Sequence, residues 1–225
     1  MRSGVKFILL ACCMLPLHAQ TPVSETVERL LLASLSTPVT PATTAVPTNA
    51  AQLFAENCAN CHGNEGRGTK GIPDLANGVW QYGSSSDHVR ASISNGRNGL
   101  MPGFGIPLGD EALEQVLNYV LSLSNRSDAS PQTLQAGAQH FGIYCASCHG
   151  DAGTGTATIG APDLTDNYWL YGGNVNDIRS VIRDGRAANM PAHAGKLTPA
   201  KIELLVEYTR GMSRNINLAE APQPR

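Results

Sequence analysis

The pentapeptide Cys-x-x-Cys-His occurs twice in this chain of 225 residues, at residues 58–62 and again at residues 145–149. Its spacing is compatible with three chemistries. These are a redox-active dithiol, half of a zinc site, or thioether attachment of a haem with the adjacent histidine as iron ligand. The choice among them decides most of the function.

The N-terminus has the pattern of an export signal. Arg2 and Lys6 precede an apolar run from Phe7 to Leu17, and the small residue Ala19 follows. This pattern predicts cleavage after Ala19 and a periplasmic location. The run is shorter than the roughly 20 residues that a helix needs to span a bilayer. The sequence also allows a lipoprotein cleavage box, which would leave a lipid-modified Cys12.

Export favours the haem chemistry, because every cysteine outside the signal lies in one of the two motifs. A two-residue gap suits a structural disulfide poorly. A four-thiolate zinc site would leave both motif histidines unused. A dithiol fold would need strands around the motif, and none is evident. The sequence therefore predicts two covalently attached c-type haems. The predicted anchors are Cys58, Cys61, Cys145 and Cys148, and the predicted iron-ligating histidines are His62 and His149.

Both motifs belong to a longer internal repeat. After each motif come, in the same order, Pro-Asp-Leu, Trp, Tyr-Gly, Gly-Arg and Met-Pro. Each copy predicts a helix into the motif, a long loop, a short helix, a loop and a closing apolar helix, which is an all-α fold. The predicted limits are a signal peptide 1–19, an amphipathic segment and Pro/Thr-rich spacer 20–49, a first domain 50–126, a linker 127–132, a second domain 133–213 and a tail 214–225.

The sixth iron ligand has two candidates at equivalent places in the repeat, Met101 and Met190, each followed by proline. A thioether suits low-spin iron and raises its reduction potential relative to a second imidazole. The alternative is that both methionines fill gaps in the core. His193, which aligns with Phe104, is the first alternative ligand for the second domain.

Other repeated residues are candidates for contacts around the haems. Pro73 and Pro162 could each present a carbonyl to the motif imidazole. The repeated aromatic and basic residues could pack on the haems and pair with the propionates, or could be ordinary core aromatics and solvated arginines. The predicted set is Trp80, Tyr82, Arg97, Trp169, Tyr171 and Arg186.

With these motifs, each repeat resembles a class I c-type cytochrome domain, a few short helices wrapped around a covalently bound haem. The stretches GAPDLTDNYWLYGG and VIRDGRAANMP look like the dihaem subunit of cbb3-type cytochrome oxidases, and GIPDLANGVWQYGSS with NGRNGLMPGF is a looser copy. The resemblance covers about residues 50–213. It implies that His62 pairs with Met101, and His149 with Met190.

The resemblance implies an electron carrier rather than an enzyme. It would relay electrons from a quinol-cytochrome reductase or dehydrogenase to a terminal oxidase or reductase. Oxidase subunits of that family carry a transmembrane anchor, and the short N-terminal apolar run favours a free carrier, similar in layout to c4-type cytochromes. Membrane association is expected to be peripheral or through partners. The alternatives are a dihaem peroxidase and a subunit of a periplasmic dehydrogenase. A net charge of -2 gives no indication of nucleic-acid binding.

Overall fold

A computed structural model describes residues 48–214, and helices dominate this part of the chain, as the sequence predicts. The predicted signal peptide, Cys12, the amphipathic segment and residues 215–225 lie outside the described residues. In chain order the elements are α1 (Thr48–Asn57), α2 (Ala59–His62), α3 (Ser86–Asn95), β1 (Arg97–Met101), α4 (Gly105–Leu123), α5 (Pro131–Tyr144), α6 (Ala146–His149), α7 (Val175–Asp184), β2 (Arg186–Met190) and α8 (Pro199–Arg214). Within residues 48–214, no helix has both the length and the apolar character needed to cross a membrane.

The predicted helices are confirmed in both repeats. Helices α1 and α5 each lead into a Cys-x-x-Cys-His motif, and the short helices α2 and α6 carry the motifs themselves. Helix α5 begins after Ser130, whose side chain accepts a hydrogen bond from the Thr133 amide. Helix α8 begins at Pro199, and Lys201 donates its amide to Thr198 Oγ1. Caps of this kind satisfy amides that have no partner within the helix.

A two-stranded antiparallel sheet, β1 with β2, joins the repeats and was not predicted. In its register Arg97 lies opposite Met190, Gly99 opposite Ala188 and Met101 opposite Arg186. Gly99 and Ala188 are equivalent positions of the repeat, and they face each other. An approximate twofold axis therefore passes through this central pair.

The first hydrophobic core combines helices from both repeats. Its buried side chains come from α1 and α3, which belong to the first repeat, and from α8 and the residue Leu197 just before it, which belong to the second. They are Leu53, Phe54, Val89, Ile93, Leu197, Ile202, Leu205 and Val206. The closing helix of the second repeat thus seals the core of the first.

The second core mirrors this arrangement. Helix α4, the closing helix of the first repeat, packs on α5 and α7 of the second repeat. The buried members are Leu113, Val116, Leu117, Val120, Leu121, Phe141, Cys145, Ile178 and Ile182. The predicted domain limits 50–126 and 133–213 follow the sequence repeat, whereas each packed core contains the closing helix of the other repeat.

Paired contacts at equivalent positions confirm the twofold relation. Phe54 packs on Tyr208 with ring centroids 5.4 Å apart, and Phe141 packs on Tyr119 at 5.2 Å. Two ion pairs repeat in the same way: Arg90 with Glu203, and Arg179 with Glu114. Reciprocal contacts of this kind define a self-complementary interface, which here lies within one chain.

Glycines lie where the chain passes from one half of the molecule to the other, just before each strand. Gly96 and Gly185 precede the two strands with φ of +69° and +71°, a region that side chains disfavour. A Cβ on Gly96 would lie 2.3 Å from the Met190 carbonyl oxygen, and one on Gly185 would lie 2.4 Å from the Met101 carbonyl oxygen. The crossing therefore has no room for a side chain at either position.

We expect Leu205→Ala and Leu117→Ala to loosen opposite halves of the molecule. Both side chains are almost fully buried, and such truncations cost about 2–5 kcal/mol. Because Leu205 packs with the first core, its truncation should speed amide hydrogen exchange in α1 and α3. Truncation of Leu117 should do so in α5 and α7. Faster hydrogen exchange confined to the repeat that carries the substitution would contradict the packing of each closing helix on the other repeat.

Gly137→Ala and Gly142→Ala form a matched pair within α5. A Cβ on Gly137 would lie 2.1 Å from the Gln115 carbonyl oxygen of α4, whereas one on Gly142 would meet nothing within 4 Å. We expect Gly137→Ala to lower the free energy of unfolding by about 1–3 kcal/mol through overpacking. Gly142→Ala should raise it by up to about 1 kcal/mol through helix propensity. Denaturant titration measures both, and equal effects would show that α4 and α5 do not approach this closely.

Candidate haem sites

The histidine of the first motif has a fixed orientation and one free nitrogen. His62 is buried, and its Nδ1–H donates to the Pro73 carbonyl oxygen at 3.0 Å. Burial lowers the pKa of His62, so the ring is neutral at pH 7. Since Nδ1 holds the proton, Nε2 keeps its lone pair for a metal ion.

The second motif repeats this geometry. His149 is buried, its Nδ1–H donates to the Pro162 carbonyl oxygen at 3.0 Å, and burial lowers its pKa. The predicted role of Pro73 and Pro162 in orienting the imidazoles is therefore confirmed. Both histidines stand at the ends of single-turn helices that follow directly from the first motif cysteine.

Burial affects the first cysteine of each motif. Burial raises the pKa of Cys58 and Cys145 to about 11, so both are protonated at neutral pH. Dithiol exchange needs a thiolate, so these protonated thiols are poorly suited to it. The two pairs also stay apart, because residues 48–214 contain no group of three or more His, Cys, Asp or Glu placed to hold a metal ion. Cys61 and Cys148 are exposed.

The two predicted methionine ligands stand at the ends of the crossing strands. Met190 ends β2 and packs against the first core, as Cys58 and Trp80 also do. Met101 ends β1, and Phe104, three residues later, packs against the second core. Each methionine is thus carried by its strand towards the half that holds the other repeat's motif.

His193 lies beside the first motif, whereas its place in the repeat predicts a position in the second domain. It is buried, its amide donates to the Ile93 carbonyl oxygen at 3.0 Å, and its ring is close enough to lower the pKa of His62 further. Its Nδ1 is buried without a hydrogen-bond partner in the described part of the chain. The misplacement has a physical cause: β2 carries the chain into the first half before residue 193.

The repeated aromatic and basic residues lie in pairs around the two motifs. Trp80 packs on the first core and Trp169 on the second. The guanidinium of Arg97 lies 4.4 Å from the Tyr82 ring centroid, and that of Arg186 lies 5.6 Å from the Tyr171 centroid. Both arginines also donate to a serine of the preceding helix, Ser92 or Ser180. Their predicted roles towards propionates stay predictions.

The residues fit a covalently bound haem on two grounds. The donor set offers a neutral imidazole with a free Nε2 beside two protonated or exposed thiols, which is what thioether attachment and iron ligation need. In addition, the indole N–H of Trp169 is buried and has no acceptor among residues 48–214. A buried donor without a partner costs free energy, and a bound group with carboxylates would supply the acceptor.

Comparison with known proteins identifies the family. A model of the cytochrome c oxidase, cbb3-type, subunit III matches the chain twice, at residues 45–120 and 132–208. The two matches cover more than half of the chain, one for each repeat. They confirm two cytochrome c domains in tandem and, with the two motifs, two c-type haems.

Individual relatives agree. The cbb3-type cytochrome c oxidase subunit CcoP of Rubrivivax gelatinosus is 37% identical over 169 residues, 75% of this chain and 55% of that protein. The FixP subunit of Azorhizobium caulinodans is 37% identical over 163 residues, 69% of this chain and 56% of that protein. For CcoP of Cereibacter sphaeroides the values are 34% over 177 residues, 73% and 61%.

The chain thus spans a little over half the length of these relatives. The predicted resemblance to the dihaem oxidase subunit is confirmed by matches that include both Cys-x-x-Cys-His motifs. The chain belongs to the family of cbb3-type cytochrome c oxidase subunit III.

Proposed function

We propose that this protein is a periplasmic electron carrier that accepts and donates one electron at each of two haems, on a respiratory route towards a terminal oxidase. The observation that carries the proposal is the equivalence of the two sites. Each motif histidine is buried, neutral and fixed by a 3.0 Å hydrogen bond to a proline carbonyl. Each repeat also supplies one methionine at a strand end.

In this proposal the chain's own residues hold the iron in one coordination state. The four motif cysteines anchor the haems, and His62 and His149 bind the irons through Nε2. Met101 and Met190 provide the sixth ligands. The haem supplies the ferric and ferrous states. With these residues held in place, the protein would set the potential of each haem and exclude water from it.

Placement of the anchors supports exchange of electrons with partner proteins. Cys61 and Cys148 are exposed, although the histidines that follow them are buried. One of the two proposed attachment points of each haem thus lies at the surface, where a redox partner can approach, whereas Cys58 is half-buried and Cys145 is buried. The proposed partners are a quinol-cytochrome reductase or dehydrogenase as donor and a terminal oxidase as acceptor.

Membership of the family favours a carrier that works within an oxidase complex, because the named relatives are subunits of cbb3-type oxidases. A free carrier would use the same haems and the same ligands. A peroxidase needs an iron that loses its sixth ligand. Because the two sites are equivalent, neither iron is expected to lose its ligand more readily than the other.

Haem content and carbon monoxide binding test the proposal. We expect protein matured in a host that attaches c-type haems to contain two covalent haems per chain. The reduced form should leave added carbon monoxide unbound, because both irons are six-coordinate. Absorption spectra before and after addition measure this. A haem that binds carbon monoxide readily in the unmodified protein would overturn the carrier proposal in favour of an enzyme.

Methionine substitutions test the ligands themselves. Met101→Leu and Met190→Leu should each remove one thioether ligand and lower the reduction potential of one haem, as followed by redox titration. Met212→Leu is the matched control, because Met212 packs on the first core and its equivalent in the other repeat is already leucine, Leu123. An effect of Met212→Leu as large as the other two would remove the ligand assignment.

A further inference from the structure

We infer that Tyr168 of the second repeat tunes the haem of the first: its hydroxyl acts on the peptide that orients His62 and lowers the reduction potential of the iron that His62 binds. This inference rests on the proposed function of the chain as a dihaem carrier. Tyr168 acts through that peptide and is therefore a positioning residue. The ligands of the two irons stay equivalent, and the difference lies behind one of them.

One peptide group connects the tyrosine to the histidine. The carbonyl oxygen of Pro73 accepts the Nδ1–H of His62 at 3.0 Å. The N–H of the same peptide, which belongs to Asp74, donates to the Tyr168 hydroxyl oxygen at 3.2 Å. Asp74 is itself buried. The imidazole, the peptide and the hydroxyl thus form one continuous chain of hydrogen bonds across the two repeats.

Hydrogen bonds in such a chain polarise one another. An acceptor at the N–H end of a peptide raises the negative charge on its carbonyl oxygen, so the Pro73 carbonyl becomes a stronger acceptor for the Nδ1–H of His62. An imidazole held by a stronger acceptor is a more basic ligand at Nε2. A more basic ligand stabilises ferric iron relative to ferrous iron, and the reduction potential of that haem falls.

The second site has no equivalent of this hydroxyl, because the repeats differ at one position. Tyr168 stands where the first repeat has Val79. The peptide equivalent to Pro73–Asp74 is Pro162–Asp163, and its carbonyl also accepts from its histidine at 3.0 Å. A valine side chain has no hydrogen-bond acceptor to offer the amide of that peptide. The two imidazoles therefore share the same kind of first partner and differ in what polarises it.

Neighbouring contacts hold Tyr168 against the first repeat. The Leu170 carbonyl oxygen accepts a hydrogen bond from the Gly71 amide at 2.8 Å. The Lys70 ammonium group pairs with the Asp177 carboxylate at 2.6 Å. These two contacts fasten the segment that begins with Tyr168 onto the loop that orients the first motif histidine.

Neither of these two contacts is mirrored in the second repeat. Gly160, the equivalent of the donor glycine, gives its amide to Ala157 of its own loop at 3.4 Å. The places of the ion-pair partners are taken by Ile159 and His88, which cannot form an ion pair. The twofold relation is therefore broken where the two loops meet, and the first loop is the one held by the other repeat.

Tyr168→Phe tests the inference, because it removes the hydroxyl and keeps the ring. We compare it in two full-length backgrounds that each attach one haem. Cys145→Ser with Cys148→Ser keeps only the haem of the first motif, and Cys58→Ser with Cys61→Ser keeps only that of the second. Redox titration should show that Tyr168→Phe raises the potential in the first background and leaves it unchanged in the second.

Tyr208→Phe is the matched control. It removes the same group from a ring that packs on Phe54 in the first core, and it should leave both potentials unchanged. An unchanged potential in Tyr168→Phe, or a rise in the second background alone, would overturn the inference. Equal rises in both backgrounds, or an equal effect of Tyr208→Phe, would overturn it as well, because the effect would then be general.

A second measurement works on the two-haem protein if the single-haem variants fail to fold. In reduced protein with nitrogen-15-labelled histidine, the Nδ1–H signal of His62 reports the strength of its hydrogen bond to Pro73. We expect this signal to move upfield in Tyr168→Phe, and the signal of His149 to stay in place. No shift at His62, or an equal shift at His149, would overturn the inference.

The outcomes separate this inference from the proposed function. Two covalent haems that leave carbon monoxide unbound, together with an unchanged potential in Tyr168→Phe, would overturn the inference and keep the carrier proposal. A haem that binds carbon monoxide in the unmodified protein would overturn the carrier proposal. The effect of Tyr168 on the first haem would then still be decided by the same titration.

Discussion

The pairing of β1 with β2 is the interaction on which the rest of the structure depends. These two strands of five residues each run antiparallel through the approximate twofold axis. Because a strand continues in its own direction, each one delivers the following chain to the opposite half. The methionine loop and the closing helix of each repeat are therefore built into the other repeat's core. A two-stranded sheet of this length has marginal stability alone. The closing helices stabilise it, because each buries a core on one side of the sheet.

Exchange makes the two halves mutually dependent. In a tandem of closed domains, each core can open while the other stays folded. Here α8 seals the core around α1 and α3, and α4 seals the core around α5 and α7. Unfolding of one core therefore frees its closing helix, and that helix is connected through its preceding loop to the shared sheet. The linker between the repeats is short and runs from the end of α4 to Pro131 within the second half, so the two crossing strands are what connects the halves. The whole described unit is expected to behave as one cooperative block.

Sequence reasoning located the chemistry well and the connectivity poorly. The motif histidines, their proline carbonyl partners and the apolar faces of the closing helices follow from local patterns, and the structure contains them. The partner of each closing helix does not follow, because the repeats present similar apolar faces at equivalent positions. Tyr119 suits Phe141 as Tyr208 suits Phe54. Hydrophobic periodicity says that a face is buried but not against which copy. The strands RNGLM and RAANM lack a clear alternation, so the feature that decides the connectivity was missed, and His193 was placed in the wrong half.

The twofold relation also makes the two repeats complementary to each other. A polypeptide with a single repeat would have a strand with no antiparallel mate, and its closing helix could pack only on its own repeat. Two copies of it would complete each other through the contacts seen here between Gly99 and Ala188, and between the paired aromatic and charged residues. The contacts between the two repeats are thus those of a symmetric dimer with swapped closing helices, contained within one chain.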